Sequence, residues 1–296
     1  MLNKKCFCCI IFIIFKKGRI RMYHNLSNQL SFHNKNDLYY ITFPAFDASQ
    51  QVRHCFSTRL GGLSQGPYQS LNLGLGRGDD DEKVYGNYKL LCEAIGINHE
   101  KLIFTNQIHD NHIKIIRKED LEKYNMKNWV KGTDGLVTNI PNVPLVTLYA
   151  DCVPLFFLDT KKKVIGLAHA GWRGTVKKIA LRMIEIFINE FNSNPKDILA
   201  AIGPSIGKCC FEVDFSVADA FQKAFKNTHK IIFPIENEKF MIDLWEANKE
   251  ALTEGGLPLS NITVTDLCTK CHHDIFFSYR ADKGQTGRLA AVMELI

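Results

Sequence analysis

Three short stretches place soft metal ligands or nucleophiles at the ends of strand-like runs: His109 in NQIHDNH, Cys152 in YADCVP and His169 in AHAGWRGTV. If they converge, one cysteine and two histidines hold a metal through three protein ligands and leave a fourth position open. That is the pattern of catalytic zinc, whereas structural zinc uses four ligands at tighter spacing. The same donors suit a single copper ion once a weak axial donor is added. Cys152 and His169 also make a nucleophile and base of the amide-cleaving kind. Plainer roles exist for each residue, since free cysteine most often fills a core and a histidine at a strand end is commonly a surface group. The spacing alone leaves all these readings open.

His169 stands at a strand-to-helix corner. The strand VIGLAHA (164–170) is expected to end at Ala170 and a helix to begin near Thr175, a fair N-cap. GWRG between them then sets free amides and a helix's positive end beside His169 and Arg173, which favours an anion. A tight glycine turn with Trp172 packed and Arg173 solvated accounts for the same letters. The loop LGGLSQGPYQSLNLGLGRGDD (60–80) lacks the strand-to-helix setting of a phosphate fingerprint; it reads either as an ordinary glycine-rich turn or as a substrate-lining loop with Asn72 a donor to ribose or base. Gly287-Arg288 reads as a turn into the last strand. CTKCHHD (268–274) contains C-x-x-C-H, which invites haem, zinc or redox readings. Haem attachment requires export, and a zinc knuckle requires a second pair, for which the adjacent Cys209 and Cys210 are poorly spaced. The stretch is expected to be a turn before a strand IFFSYR (275–280).

The elements that must position these residues form a mixed α/β chain with several antiparallel-compatible strands. Further strands are expected at 51–59, 101–109, 112–116, within VPLVTLYADCVPLFFLD (143–159), and near 198–203, 240–244, 262–266 and 289–295. A helix over 80–95 is capped by the aspartate run and closed at Gly96. A second, from Thr175, carries one apolar stripe of Val176, Ile179, Ala180, Met183, Ile184, Phe187, Ile188 and Phe191. Two more are expected around 214–226 and 244–254. No linker or repeat divides the chain, so one domain over 23–296 is expected.

Composition narrows the function classes. With 296 residues, 46% hydrophobic, the chain can bury a large core. The net charge of +6 comes from Lys4, Lys5, Lys16, Lys17, Arg19 and Arg21; without these six the chain has 31 basic and 31 acidic residues. A neutral body argues against a nucleic-acid footprint. The apolar run in MLNKKCFCCIIFIIFKKGRIRM is too short to span a bilayer and no small-residue cleavage site follows it. Residues 1–22 are expected to lie outside the fold, with Met22 the favoured first residue. Ten irregularly placed cysteines suit free thiols in a reducing, cytoplasmic setting.

In order along the chain, STRLGGLSQGPYQSLNLG (57–74), NQIH (106–109), GTDGLVT (132–138), ADCVPLFFLD (150–159), GLAHAGWRGT (166–175), AIGPSIGKCCFEV (201–213) and FFSYRADKGQTGR (276–288) resemble the motifs of a known family. It is the multicopper-polyphenol-oxidase-like, or laccase-like, family, also called the peptidoglycan editing factor family and related to animal laccase-domain purine enzymes. The resemblance runs from about Val52 to the C-terminus. It implies a layered α/β/β/α single domain like the catalytic domain of the cytotoxic necrotizing factor toxins. It also implies a purine nucleoside phosphorylase for inosine, adenosine, guanosine and methylthioadenosine that also deaminates adenosine. One zinc per chain is implied on the histidine of Q-x-H, the cysteine of ADC and the histidine of AHAGWRG. Those positions are His109, Cys152 and His169, which are also the expected catalytic residues.

Phosphorolysis must hold a phosphate while the ribosyl carbon becomes cation-like. Arg59, Arg173 and Arg280 are the expected phosphate ligands, beside Asn72. Asp134 and Asp151 are weighed as proton carriers in place of the H-x-E glutamate of other zinc deaminases. A strand would point Asp151 away from the Cys152 face, so it receives no firm role. Copper-dependent phenol oxidation ranks below zinc chemistry, because none of the ten histidines forms an H-x-H pair. Two rival readings are a Cys152–His169 amidase or deamidase and a part in editing cell-wall precursors. The expected partners are purine nucleosides and phosphate, with neither nucleic acid nor membrane.

Overall fold

The computed structural model describes residues 26–296, so the expected extension over 1–22 lies outside the described residues. The chain opens with the hairpin β1 (Ser31–Lys35) and β2 (Leu38–Thr42), then α1 (Pro44–Ser49), β3 (Val52–Ser57) and, after the glycine-rich loop, α2 (Asp81–Ile95). Short strands β4 (Ile103–Asn106), β5 (Ile113–Ile115), β6 (Val130–Lys131) and β7 (Gly135–Thr138) lead to the central β8 (Leu145–Tyr149), β9 (Val153–Asp159) and β10 (Val164–Ala170). Helices α3 (Trp172–Val176) and α4 (Ile179–Phe191) precede β11 (Ile198–Ile202), β12 (Glu212–Asp214), α5 (Phe215–Ala224), β13 (Ile232–Pro234), β14 (Lys239–Ile242), α6 (Leu244–Glu254), β15 (Ile262–Val264) and β16 (Leu289–Leu295).

Two sheets stack on one another. The first has seven strands in the order β1-β2-β3-β16-β8-β4-β6, the second six in the order β15-β11-β9-β10-β7-β5. Alternation along the central strands sorts their side chains into layers. From β8, Leu145 and Tyr149 join Phe156, Leu158, Ile165 and Leu167 of the second sheet in the core between the sheets. Val146 and Leu148 face the other way, against Val84, Tyr88 and Leu91 of α2. On the far side, Leu155 and Phe157 of β9 pack under Met183, Ile184 and Phe187 of α4 and Ala247 and Ala251 of α6. The result is the layered helix–sheet–sheet–helix order.

The 143–159 region contains two strands. β8 pairs with β16 in the first sheet and β9 with β10 in the second, so Ala150-Asp151-Cys152 is the corner at which the chain changes sheets. Asp151 turns that corner with φ of 83°. The cap expected for α2 is present: the Asp80 side chain accepts from the Glu82 amide, and Gly96 closes the helix in the left-handed region.

Three expectations change. The helix after β10 is broken in two, because Lys178 adopts φ of 55° after Lys177 closes α3 on the Arg173 carbonyl. Thr175 is therefore no N-cap. It is buried inside α3, where its hydroxyl accepts from Asn248 Nδ2 at 3.1 Å. IFFSYR is not a strand: Phe276 and Phe277 are both fully buried, and a chain of turns, such as Phe276 N to His272 O at 2.9 Å, seats consecutive aromatics in the core. The strand expected over 101–109 stops at Asn106, so His109 lies in a bend.

Candidate active site

His169 has the same parity on β10 as Ile165 and Leu167, so it points between the sheets, at their open end. Cys152 packs against that same core layer from the sheet-changing corner. His109 arrives from the bend after β4 with φ of 60°, a left-handed conformation that costs a non-glycine residue about 1–2 kcal/mol. The Asp134 carboxylate offsets that cost by accepting three successive amides: Ile108 at 3.1 Å, His109 at 3.0 Å and Asp110 at 2.9 Å. Hydrogen bonds to a charged group contribute about 1.5–3 kcal/mol each, so the turn is held firmly.

Asp134 also meets His169. Its Oδ1 lies 2.9 Å from His169 Nδ1, which leaves Nε2 as the nitrogen free to coordinate or to take a proton. The donor atoms of His109, Cys152 and His169 lie within 4.8 Å of one another, with the two imidazoles edge-to-face at a centroid distance of 4.8 Å. Gly171 closes the group. A Cβ there would stand 3.0 Å from His109 Cδ2 and 3.2 Å from Cys152 Sγ, so the glycine leaves the space beside the donors open. One thiol, two imidazoles and a hydrogen-bonded carboxylate behind one of them are a donor set that fits zinc or copper.

The electrostatics run the same way. Burial alone would push the Cys152 thiol up, but the charge of His169 and hydrogen bonds from both histidines bring it down to about 6. Burial opposes charge on His169, yet the Cys152 sulfur and the Asp134 hydrogen bond raise it to about 9. Asp134 is desolvated, but its bonds to His169 and the amides hold it below its ordinary value. Without a metal, the group is therefore a thiolate–imidazolium pair backed by a carboxylate.

His109, Cys152 and His169 line a cavity of about 390 Å3. Trp172, Phe211 and Tyr279 contribute aromatic walls, and Arg77, Arg280 and Arg288 bring three guanidiniums to it. Burial lowers the Arg288 pKa, and the nearby charge of Arg77 adds to that effect. Three guanidiniums lining one cavity favour an anionic ligand within it. Asp151 also lines the cavity, but its carboxylate is committed: it accepts from Thr269 Oγ1 at 2.6 Å and from the Arg280 amide at 2.7 Å. Burial raises its pKa despite those bonds.

The family described as multi-copper polyphenol oxidoreductase laccase matches residues 53–296. The chain belongs to that family. The purine nucleoside phosphorylase YlmD of Bacillus subtilis is 39% identical over 243 residues, 81% of this chain and 87% of that protein. A purine nucleoside phosphorylase of Bacteroides thetaiotaomicron is 36% identical over 250 residues, 83% and 93% of the two chains. The crystal structure of the Bacillus licheniformis hypothetical protein YfiH superposes with a TM-score of 0.84 at 34% identity, over 90% of this chain and 99% of that one.

The residues singled out in the sequence separate into two groups. His109, Cys152, His169 and Arg280 meet at the cavity. Arg59 does not line it: its Nη1 donates to the His273 carbonyl at 2.7 Å and its guanidinium lies over Phe277, tying the amino-terminal strands to the 268–280 segment. Arg173 is exposed and stacks on Trp172 at 4.3 Å, outside the lining. Asn72 is buried under the cavity wall, where its Oδ1 accepts from the Arg288 amide at 2.8 Å and so positions that arginine. Sequence reasoning missed Arg77 and passed over Arg288 as part of a turn. The signals were present in the motifs GRGDD and TGR, where an arginine beside glycine follows a stretch free to approach a ligand.

Among the described residues no helix is long and apolar enough to cross a membrane.

Proposed function

We propose that the chain is a zinc-dependent purine nucleoside phosphorylase. The observation that carries the reading is the meeting, in one cavity, of a three-donor metal group with the Arg77–Arg288 pair. Its relatives in Bacillus subtilis and Bacteroides thetaiotaomicron are named purine nucleoside phosphorylases, which supports it. His109, Cys152 and His169 would hold the metal, which when bound supplies Lewis-acid activation of water or of a substrate oxygen.

Phosphorolysis forms a bond from a phosphate oxygen to the ribosyl C1′ while the C1′–N9 bond breaks, and the electron pair leaves with the purine. Arg77, Arg280 and Arg288 hold the phosphate dianion against the ribose. The flat base stacks among Trp172, Phe211 and Tyr279. Asp151 fixes the Arg280 backbone, and Asn72 that of Arg288. Inosine, adenosine, guanosine and methylthioadenosine all present the glycosidic bond this arrangement requires. Adenosine deamination at the same metal is the second activity proposed, in a reducing cytoplasmic setting.

A second reading rests on a separate observation. Asp134, His169 and Cys152 are linked like an orienting acid, a base and a nucleophile, as an amidase or deamidase requires. Removal of the metal distinguishes the two. A phosphorylase of the proposed kind loses purine release on chelation and regains it with zinc, whereas a Cys152 nucleophile becomes free to act only when the metal leaves.

A further inference from the structure

The C-x-x-C pair set aside in the sequence has a partner in space. Cys209 and Cys210 lie in a turn that closes on Gly207, with the Cys210 and Phe211 amides both bonded to the Gly207 carbonyl. That turn carries both thiols toward Cys271, with Sγ–Sγ distances of 3.6 Å and 3.5 Å. Cys268 completes the group, and all four sulfurs lie within 4.8 Å of one another. A metal with Zn–S bonds of about 2.3 Å holds its tetrahedral sulfurs roughly 3.8 Å apart. A disulfide needs about 2.05 Å, so the group is spaced as ligands about one ion.

We propose that Cys209, Cys210, Cys268 and Cys271 form a second metal site, a four-thiolate zinc centre separate from the cavity. Three observations support it. The Gly207 amide donates to Cys268 Sγ at 3.2 Å, the amide-to-sulfur bond that stabilises a coordinating thiolate. Among the described residues the Cys271 sulfur pairs with both Cys209 and Cys210, so the thiols face one another. Cys268 is buried while Cys209 is exposed, so the site is anchored on one side and reachable from solvent on the other. With four protein ligands and no open position, this centre is structural.

Its place in the fold says what it fastens. The segment carrying Cys209 and Cys210 also supplies Ile206 and Phe211 to the cavity, and the segment carrying Cys268 and Cys271 continues to Tyr279 and Arg280. The two segments also meet through the isolated bridge Ser205–Cys268 and through Arg280, whose Nη1 donates to the Glu212 carbonyl at 3.2 Å and whose guanidinium lies over Phe211. The second ion would lock two walls of the cavity to each other.

Elemental analysis of the purified full chain tests this, in wild type and in two variants. The wild type should hold two zinc ions per chain, C268S/C271S one, and C152A one. Cobalt(II)-loaded C152A should retain the intense sulfur-to-metal charge-transfer bands of a four-thiolate site, and C268S/C271S should lose them. To keep the test independent of the double variant's folding, the wild type is also measured alone, by native mass spectrometry and by a thiol reagent titrated against metal release. One zinc per wild-type chain with these four thiols freely reactive would overturn the proposal. So would recovery of a disulfide among them from protein purified under reducing conditions.

Discussion

Two thiol-bearing clusters lie on adjoining walls of this molecule and differ in what surrounds them. His109, Cys152 and His169 have three donors, an adjoining space kept open by Gly171 and a carboxylate behind one imidazole. The four cysteines at 209, 210, 268 and 271 have four donors, with the Gly207 amide bonded to Cys268 and the apolar core packed against Cys210 and Cys271. Ligand number and open space, not residue type, separate a site that can do chemistry from one that can only fasten. The comparison predicts that damage to the first cluster removes activity and spares the fold, and that damage to the second lowers stability without removing the metal of the first.

The largest expected effect is at Cys152. Cys152→Ala should reduce phosphate-dependent release of hypoxanthine from inosine to background while the thermal unfolding temperature stays near that of wild type; residual turnover near the wild-type rate would remove the metal group from the mechanism. Asp134→Asn comes next, since it weakens the bonds that hold both histidines. Zinc affinity at the cavity should fall on the order of 10–100-fold in a competition titration with a chelating dye, with metal at the four-cysteine site unaffected.

How far the two clusters could be read in the sequence follows from how each is built. His169 and Cys152 sit at ends of long apolar runs, so the strands that present them were evident and the family motifs did the rest. His109 was found as a residue, but its left-handed bend was not, because that conformation depends on Asp134, which is 25 residues away. The four-cysteine group was unreadable. Adjacent Cys209 and Cys210 match no ligand spacing, and only the turn on Gly207 aims both sulfurs at a segment about 60 residues later. The break at Lys178 escaped notice for a similar reason: the apolar stripe of α4 continues through Val176, and stripes do not record a single residue with positive φ.

Smaller effects refine the contrast. Arg288→Ala should raise the KM for phosphate roughly 10-fold or more, the loss of one charge-assisted hydrogen bond, while leaving zinc content unchanged. Arg59→Ala, outside the cavity, should leave that KM near wild type. C268S/C271S should lower Tm, by roughly 2–4 °C for each kcal/mol of stability lost, as read by differential scanning calorimetry.

A pH effect is expected only in metal-depleted protein. The folded Cys152 value of about 6 lies below its ordinary 9.0, so its contribution to stability is complete above the ordinary value and lost as pH falls through about 6. His169, raised from 6.5 to about 9, contributes fully below its ordinary value and loses that contribution as pH rises through about 9. The charged pair therefore persists between about 6 and 9. Alkylation of Cys152 by iodoacetamide, followed by peptide mass mapping, should rise with a midpoint near pH 6; a midpoint near the ordinary value would show that the histidines do not activate the thiol.

The central claim is that the cavity splits a purine nucleoside with phosphate, and the most direct test is product analysis of inosine incubated with zinc-replete wild-type protein, with and without phosphate. The account predicts hypoxanthine and ribose 1-phosphate in equal amounts, formed only when phosphate is present. Folded, metal-loaded protein that releases no base from inosine or adenosine in phosphate would contradict it.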